Sequence, residues 1–203
     1  MLLIKNCKVL VGNDFLERNI LVDEESGKIM KIAVAAGLKA TDADEVIDAT
    51  GKYALPGAID AHVHCREPGM TQKEDFFTAS KAAAAGGITT IFDMPNTKPA
   101  TTTVALLEEK RKLAGAKCIV NYGFHFGATA DNFDEIKKAR TVAAVKVYMG
   151  SSTGDLLVTD EKALDEIFGS GKMVMAHAEN EAMIKANEEK YRGSSDGAQL
   201  HLK

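Results

Sequence analysis

The 203-residue chain carries 25 Lys and Arg against 29 Asp and Glu, a formal net charge of −4, with 45% hydrophobic residues and four prolines. That balance is typical of a globular protein and excludes a disordered chain, a fibrous repeat and a disulfide-stapled miniprotein. No Lys/Arg-rich run is present, so nothing electrostatic points to nucleic acid or an anionic membrane, and a small-molecule substrate is the expected partner.

At the N-terminus, Met1-Leu2-Leu3-Ile4-Lys5-Asn6 is too short an apolar stretch for a signal peptide, and no run reaches the roughly eighteen apolar residues of a membrane span. Cys7, Cys65 and Cys118 are odd in number and far apart, which argues for free thiols in a reducing, cytoplasmic compartment. Residues 1–54 read as short strands. Apolar clusters at Leu2-Leu3-Ile4, Val9-Leu10-Val11, Ile20-Leu21-Val22, Ile29-Met30 with Ile32, and Val46-Ile47 alternate with turn signals at Gly12-Asn13-Asp14, Ser26-Gly27, Gly37 and Gly51. Five such strands make a small sheet or half a sandwich and supply little core.

From Leu55 the rhythm becomes strand then helix, repeated. Strands are predicted at 55–63, 88–93, 118–123, 143–148 and 172–176, and helices at 72–85, 103–114, 132–140, 161–168 and 180–191. This alternation predicts a parallel sheet with crossover helices. For the first helix, Thr71 and Glu74 have capping-box spacing, Phe76, Ala79 and Ala83 share one face, and Gly86-Gly87 supplies the stop. Five βα units suit a doubly wound sheet or most of a (β/α)8 TIM-type barrel. The missing G-x-G-x-x-G after the first strand removes the main support for dinucleotide binding. A complete barrel takes on the order of 250 residues, whereas only about 150 follow Leu55, so an incomplete barrel over 55–203 is expected.

The segment Asp60-Ala61-His62-Val63-His64-Cys65-Arg66-Glu67-Pro68-Gly69 is the most informative. On a strand, residues i and i+2 face the same way, so His62 and His64 project together and two neutral imidazoles can share one metal ion. The alternative is a pair of strand-edge histidines satisfied by backbone or water. Their position, at the C-terminal end of the first strand, is where barrel enzymes assemble active sites.

Asp60-x-His62-x-His64-x-Arg66-Glu67-Pro68-Gly69 resembles the first-strand signature of the cyclic amidohydrolases, and of the dihydroorotases among them. Pro56-Gly57-x-x-Asp60, Ala84-Ala85-Gly86-Gly87-Ile88-Thr89-Thr90, Asp93-Met94-Pro95-Asn96-Thr97, Lys146-Val147-Tyr148-Met149-Gly150 and Ala176-His177-Ala178-Glu179 follow in family order. The resemblance covers essentially the whole chain and implies that residues 1–54 are the N-terminal part of a small β-sandwich domain.

It also implies a binuclear zinc site, with His62 and His64 on the more buried ion, His177 on the other, and Lys146 bridging both as an N6-carboxylated lysine. Carboxylation needs the neutral amine, which burial beside cations favours; otherwise Lys146 is a salt-bridged lysine at the barrel rim. Arg66 and Asn96 would hold a substrate carboxylate through a planar fork of donors and an amide N–H. The alternatives are an Arg66 pair with Glu67 or Glu74, and Asn96 as a turn cap after Pro95.

The implied reaction is the reversible interconversion of dihydroorotate and N-carbamoyl-aspartate in pyrimidine synthesis; an allantoinase or hydantoinase is the alternative. The general-base aspartate, the fourth histidine ligand and strands six to eight would lie beyond residue 203. The chain is therefore expected to be a fragment, one half of a split gene product, or a noncatalytic assembly module. Alone it should be inactive and should self-associate or pair with a complementary polypeptide.

His125, between Phe124 and Phe126, reads as loop packing with no assigned role, and His201 is assigned none. Gly150-Ser151-Ser152-Thr153-Gly154 lacks the G-K-[ST] ending of a phosphate loop and suits a loop at the barrel top.

Overall fold

The computed structural model describes residues 1–150 and 156–193. The Ser151 to Gly154 loop and His201 lie outside the described residues. The chain divides into two compact units, Met1–Pro56 and Gly57–Lys203.

The first unit is one five-stranded sheet: β1 (Leu2–Val11), β2 (Asp14–Asp23), β3 (Lys28–Ala33), β4 (Glu45–Asp48) and β5 (Tyr53–Ala54). Its order is β3-β2-β1-β4, and both β4 and β5 pair parallel to β1. The two N-terminal apolar clusters, expected as separate strands, form a single strand. A bulge between Ile4 and Cys7 absorbs the polar interruption. Asn6 there takes φ +57°, and its N–H donates to the Asn19 side-chain oxygen at 2.9 Å. The count of five is kept because Tyr53–Ala54 adds a strand. Only Cys7, Ile20 and Ala49 form a buried cluster, while Leu10, Phe15, Ile29, Met30, Ile32 and Ile47 are exposed.

The second unit alternates strand and helix: β6 (Ala58–Val63), α1 (Phe76–Ala85), β7 (Ile88–Asp93), α2 (Val104–Lys117), β8 (Asn121–Phe124), β9 (Phe126–Gly127), α3 (Phe133–Lys138), β10 (Val145–Tyr148), α4 (Glu161–Phe168), β11 (Val174–His177) and α5 (Glu181–Lys190). All pairings are parallel, β6-β7-β8 in one sheet and β9-β10-β11 in another. The expected third strand is therefore two pieces separated by His125. One piece follows β7, with Asp93 opposite Phe124, and the other follows β10, with Gly127 opposite Lys146. The His125 N–H donates to Asp93 O, and the Phe126 N–H to Ala144 O, so the chain changes partner at this residue. The result is a mixed α/β fold with, among the described residues, six parallel strands in two three-stranded sheets.

Strand alternation sorts side chains between two faces. Val145 and Val147 join Phe76, Leu107, Phe124, Phe126, Ile136 and Ile167 in the buried core with the helices, and Lys146 and Tyr148 point to the opposite face. The first helix begins later than its sequence signal. Thr71 falls in a turn, with the Lys73 N–H on Met70 O, and Asp75 is the cap, accepting from the Thr78 N–H at 2.8 Å. Glu67 accepts from the Phe76 N–H, so side chains from two places satisfy donors in the first turn. The expected apolar face, Phe76, Ala79 and Ala83, is buried.

Candidate active site

The parallel strands deliver the candidate residues at their C-terminal ends. His62 and His64 share a face, with ring centroids 5.4 Å apart and planes at 54°. Asp60 Oδ1 accepts from the His62 backbone N–H, and His64 Nδ1 lies 2.8 Å from Asn96 Oδ1. An amide oxygen only accepts, so His64 Nδ1 carries the proton and Nε2 presents a lone pair. Burial, with Asn96 acting in the opposite sense, lowers the His64 pKa and favours the neutral ring.

The loop after β6 is held from below. The Cys65 N–H donates to Asp93 Oδ1 at 2.7 Å, and Asp93 Oδ2 pairs with Lys110 Nζ at 2.5 Å, both side chains being almost wholly buried. Lys110 also donates to Met94 O at 2.9 Å, and the Met94 N–H to Val63 O at 2.8 Å. Desolvating such a pair is costly, and the bonds from the Cys65 N–H to Asp93 Oδ1 and from Lys110 to Met94 O offset part of that cost. Arg66 then takes φ +61°, the left-handed region that a residue with a Cβ seldom adopts.

Neither expected carboxylate pairs with Arg66. Glu67 is buried on Lys117 at 2.6 Å, and Glu74 accepts from the Thr78 hydroxyl. The Arg66 guanidinium makes no hydrogen bond or ion pair with any described residue. Its charge reaches Tyr148, whose hydroxyl is buried without a hydrogen-bond partner among the described residues and is pushed up to about 12 by burial.

Lys146 is 2% exposed and has no carboxylate partner among the described residues, so it is not the salt-bridged rim lysine of the alternative. Its Nζ sits 4.8 Å from the Tyr148 ring centroid, and burial pushes the amine below its ordinary value. Phe124 and Phe126 belong to the core that packs on the helices, and His125 between them is buried with its ring 6.1 Å from that of Phe92. Its Nε2 lies 2.9 Å from Ala61 O, so Nε2 carries the proton, and Nδ1 is buried without a partner among the described residues. Burial lowers its pKa, and the charges acting on it include those of His62 and Lys146.

His177 ends β11 opposite Tyr148, its ring 6.0 Å from that residue and its Nε2 3.1 Å from Glu179 Oε2. The candidates thus meet in pairs, His62 with His64 and His177 with Glu179. Among the described residues no three His, Cys, Asp or Glu side chains gather closely enough to hold a metal. The His62 and His64 imidazoles nonetheless have the chemistry zinc takes, with the His64 Nε2 lone pair free, and Lys146 joins that set only as an anion.

Sequence reasoning did not find Asp93 with Lys110, Glu67 with Lys117, or Tyr148. A signal existed for Lys110, which shares the buried row Leu107, Lys110, Ala114 of α2; a lysine on that row needs a buried partner.

The parallel βα units carry a histidine pair at the C-terminal end of β6. A sequence model of the amidohydrolase family matches residues 53–197, and the chain belongs to that family. Over 195 residues it is 42% identical to a dihydroorotase of Methanosarcina acetivorans, covering 94% of this chain and 41% of that protein. Over 192 residues it is 35% identical to an L-hydantoinase of Paenarthrobacter aurescens, covering 91% of this chain and 41% of that protein. The solved L-hydantoinase (dihydropyrimidinase) from Arthrobacter aurescens superposes with a TM-score of 0.83 at 32% identity, covering 96% of this chain and 44% of that one. The chain spans about two fifths of the length of the curated relatives it matches. Among the described residues, no helix is long and apolar enough to cross a membrane.

Proposed function

We propose that this chain contributes the metal arm and substrate-anchoring loop of a zinc-dependent cyclic amidohydrolase, acting on a ring amide that carries a carboxylate, as dihydroorotate does. The observation that carries this reading is the unpaired Arg66 guanidinium, two residues from His64 and without a described partner. A planar fork of donors left free beside a candidate metal ligand suits an incoming carboxylate. Asn96 adds an NH2 group that has no described partner.

His62 and His64 would hold one zinc and His177 the second, with Lys146 between them as a carbamate. The neutral Lys146 amine, favoured by burial, attacks carbon dioxide, an N–C bond forms and one proton leaves. When bound, zinc supplies a Lewis acid for the ring carbonyl and lowers the pKa of water toward neutrality. Arg66 and Asn96 fix the substrate by its carboxylate, which orients the ring amide and excludes water from that side. Tyr148 keeps its proton and offers a hydroxyl donor on the same face. The general-base aspartate, the fourth histidine and the remaining strands of a (β/α)8 barrel would come from the part of the relatives that this chain does not cover, and the first unit would belong to a β-sandwich. In this reading residues 1–203 alone are inactive and work with the rest of the barrel, in cis or from a complementary polypeptide.

Hydantoinase activity is the second reading, favoured by the TM-score of 0.83 to the L-hydantoinase. The two part on Arg66→Ala in the full-length protein. Losing a charge-assisted hydrogen bond costs about 1.5–3 kcal/mol, so KM for dihydroorotate should rise roughly ten- to hundredfold while KM for an unsubstituted hydantoin stays put. Equal changes on both substrates would favour the hydantoinase. The metal arm has its own test: His62→Ala with His64→Ala should sharply lower zinc content by elemental analysis, and unchanged stoichiometry would remove that site.

A further inference from the structure

Asn96 was expected as a substrate contact or a turn cap after Pro95, yet in the structure its carbonyl oxygen is engaged by His64 Nδ1 at 2.8 Å. We propose that Asn96 is a positioning residue for the metal arm as well as a substrate anchor. Its Oδ1 fixes the Nδ1–H tautomer of His64 and so presents Nε2 to zinc, while its NH2 group serves the substrate carboxylate. The inference rests on the zinc reading of His62 and His64.

Three observations carry it. First, the tautomer follows from chemistry, because an oxygen acceptor at Nδ1 requires the proton there and leaves Nε2 as the lone-pair nitrogen. A metal-binding histidine needs such a partner on its other nitrogen to set ring orientation. Second, both halves of this hydrogen bond are tied to each other from either side. Val63 O accepts from the Met94 N–H at 2.8 Å and Asp93 Oδ1 from the Cys65 N–H at 2.7 Å, so the residues flanking His64 are stitched to the segment leading to Asn96. That segment is closed in turn by the Thr97 and Thr101 N–H groups on Pro95 O, both at 2.9 Å. The contact is thus built on a rigid frame rather than formed between two mobile loops.

Third, the residue type suits both tasks at once. An aspartate would orient His64 equally well, but its charge would repel a substrate carboxylate. An alanine would do neither. Only an amide offers an acceptor at one end and a donor at the other without adding charge. Asn96 thereby joins substrate binding to the geometry of a metal ligand.

The test uses the full-length protein stripped of metal, with zinc affinity measured by competition against a chromophoric chelator and the His64 tautomer read by 15N NMR of histidine-labelled protein. Asn96→Ala should weaken zinc binding about 10- to 100-fold and abolish the Nδ1–H signature. Asn96→Asp should recover most of the zinc affinity while KM for dihydroorotate remains high, which separates the two tasks in one side chain. Arg66→Ala should raise KM and leave zinc affinity unchanged. If Asn96→Ala binds zinc as tightly as the parent while His64→Ala binds it more weakly, Asn96 is a substrate contact only and the proposal fails alone. An Nε2–H tautomer at His64 would also overturn it. If His64→Ala leaves zinc affinity unchanged, the zinc reading falls and takes this proposal with it.

Discussion

The two histidine-bearing ends of the parallel array are built on different physical terms. At the β6 end, His64 is gripped by Asn96, and the residues on either side of it are tied to β7 and the loop that follows. Beneath lies the Asp93–Lys110 pair, 1–2% exposed at the side chains, and beside it Glu67 is buried against Lys117. At the β11 end, the His177 side chain is 41% exposed and Glu179, whose Oε2 lies 3.1 Å from its Nε2, is only two residues away. The first end is tied to β7, the loop after it and α2, whereas the second is held through the pairing of β11 with β10, His177 lying opposite Tyr148. The contrast teaches that the β6 end is preorganised by a buried charge pair and the hydrogen bonds around it, whereas the β11 end has no such pair among the described residues.

The comparison is broken most severely by Lys110→Met. That change leaves the Asp93 carboxylate buried without its partner, and breaking such a pair costs about 3–5 kcal/mol. Urea unfolding of the full-length protein should register that loss, and Asp93→Asn with Lys110→Met should recover part of it. A loss well under 1 kcal/mol for the single change would mean the pair does not hold the β6 loop.

A smaller effect is expected at the other end. His177→Ala removes a half-exposed ring outside any buried charge pair, so stability should move by less than about 1 kcal/mol. A destabilisation comparable to that of Lys110→Met would erase the distinction between the two ends.

The finest probe is Cys118, whose Sγ lies 3.9 Å from Phe76 O beside the first end. Burial first, then the charges of Asp93 and Glu67, raise its pKa from 9.0 to about 11. Between those values the unfolded thiol has lost its proton and the folded one retains it, so the folded state binds more protons. Stability therefore falls as pH rises through the window from 9.0 to about 11. Cys118→Ser should flatten that part of the stability profile measured by urea unfolding, and an unchanged slope would show that the thiol is not buried as described.

Much of this was legible along the chain. The alternation of strand and helix after Leu55, the buried face Phe76, Ala79 and Ala83, and the common face of His62 and His64 follow from periods of two and 3.6 residues that the backbone itself imposes. The family resemblance was carried by motifs of the same local kind, and the amidohydrolase match over residues 53–197 agrees with it.

Tertiary structure decided the rest, because each remaining feature is a choice among partners distant in sequence. Whether Arg66 or Lys117 meets Glu67, 50 residues from that lysine, depends on where α2 packs against the β6 loop. Which atom of Asn96 meets His64, 32 residues earlier, depends on the stitching of that loop to β7. The break at His125 arises because one strand must follow β7 with its first half and β10 with its second, a demand no local pattern encodes. Local periodicity is a property of one chain segment, whereas the pairing of a buried charge or an imidazole nitrogen is a property of the packed whole, since only burial makes an unmet hydrogen bond costly enough to select the partner.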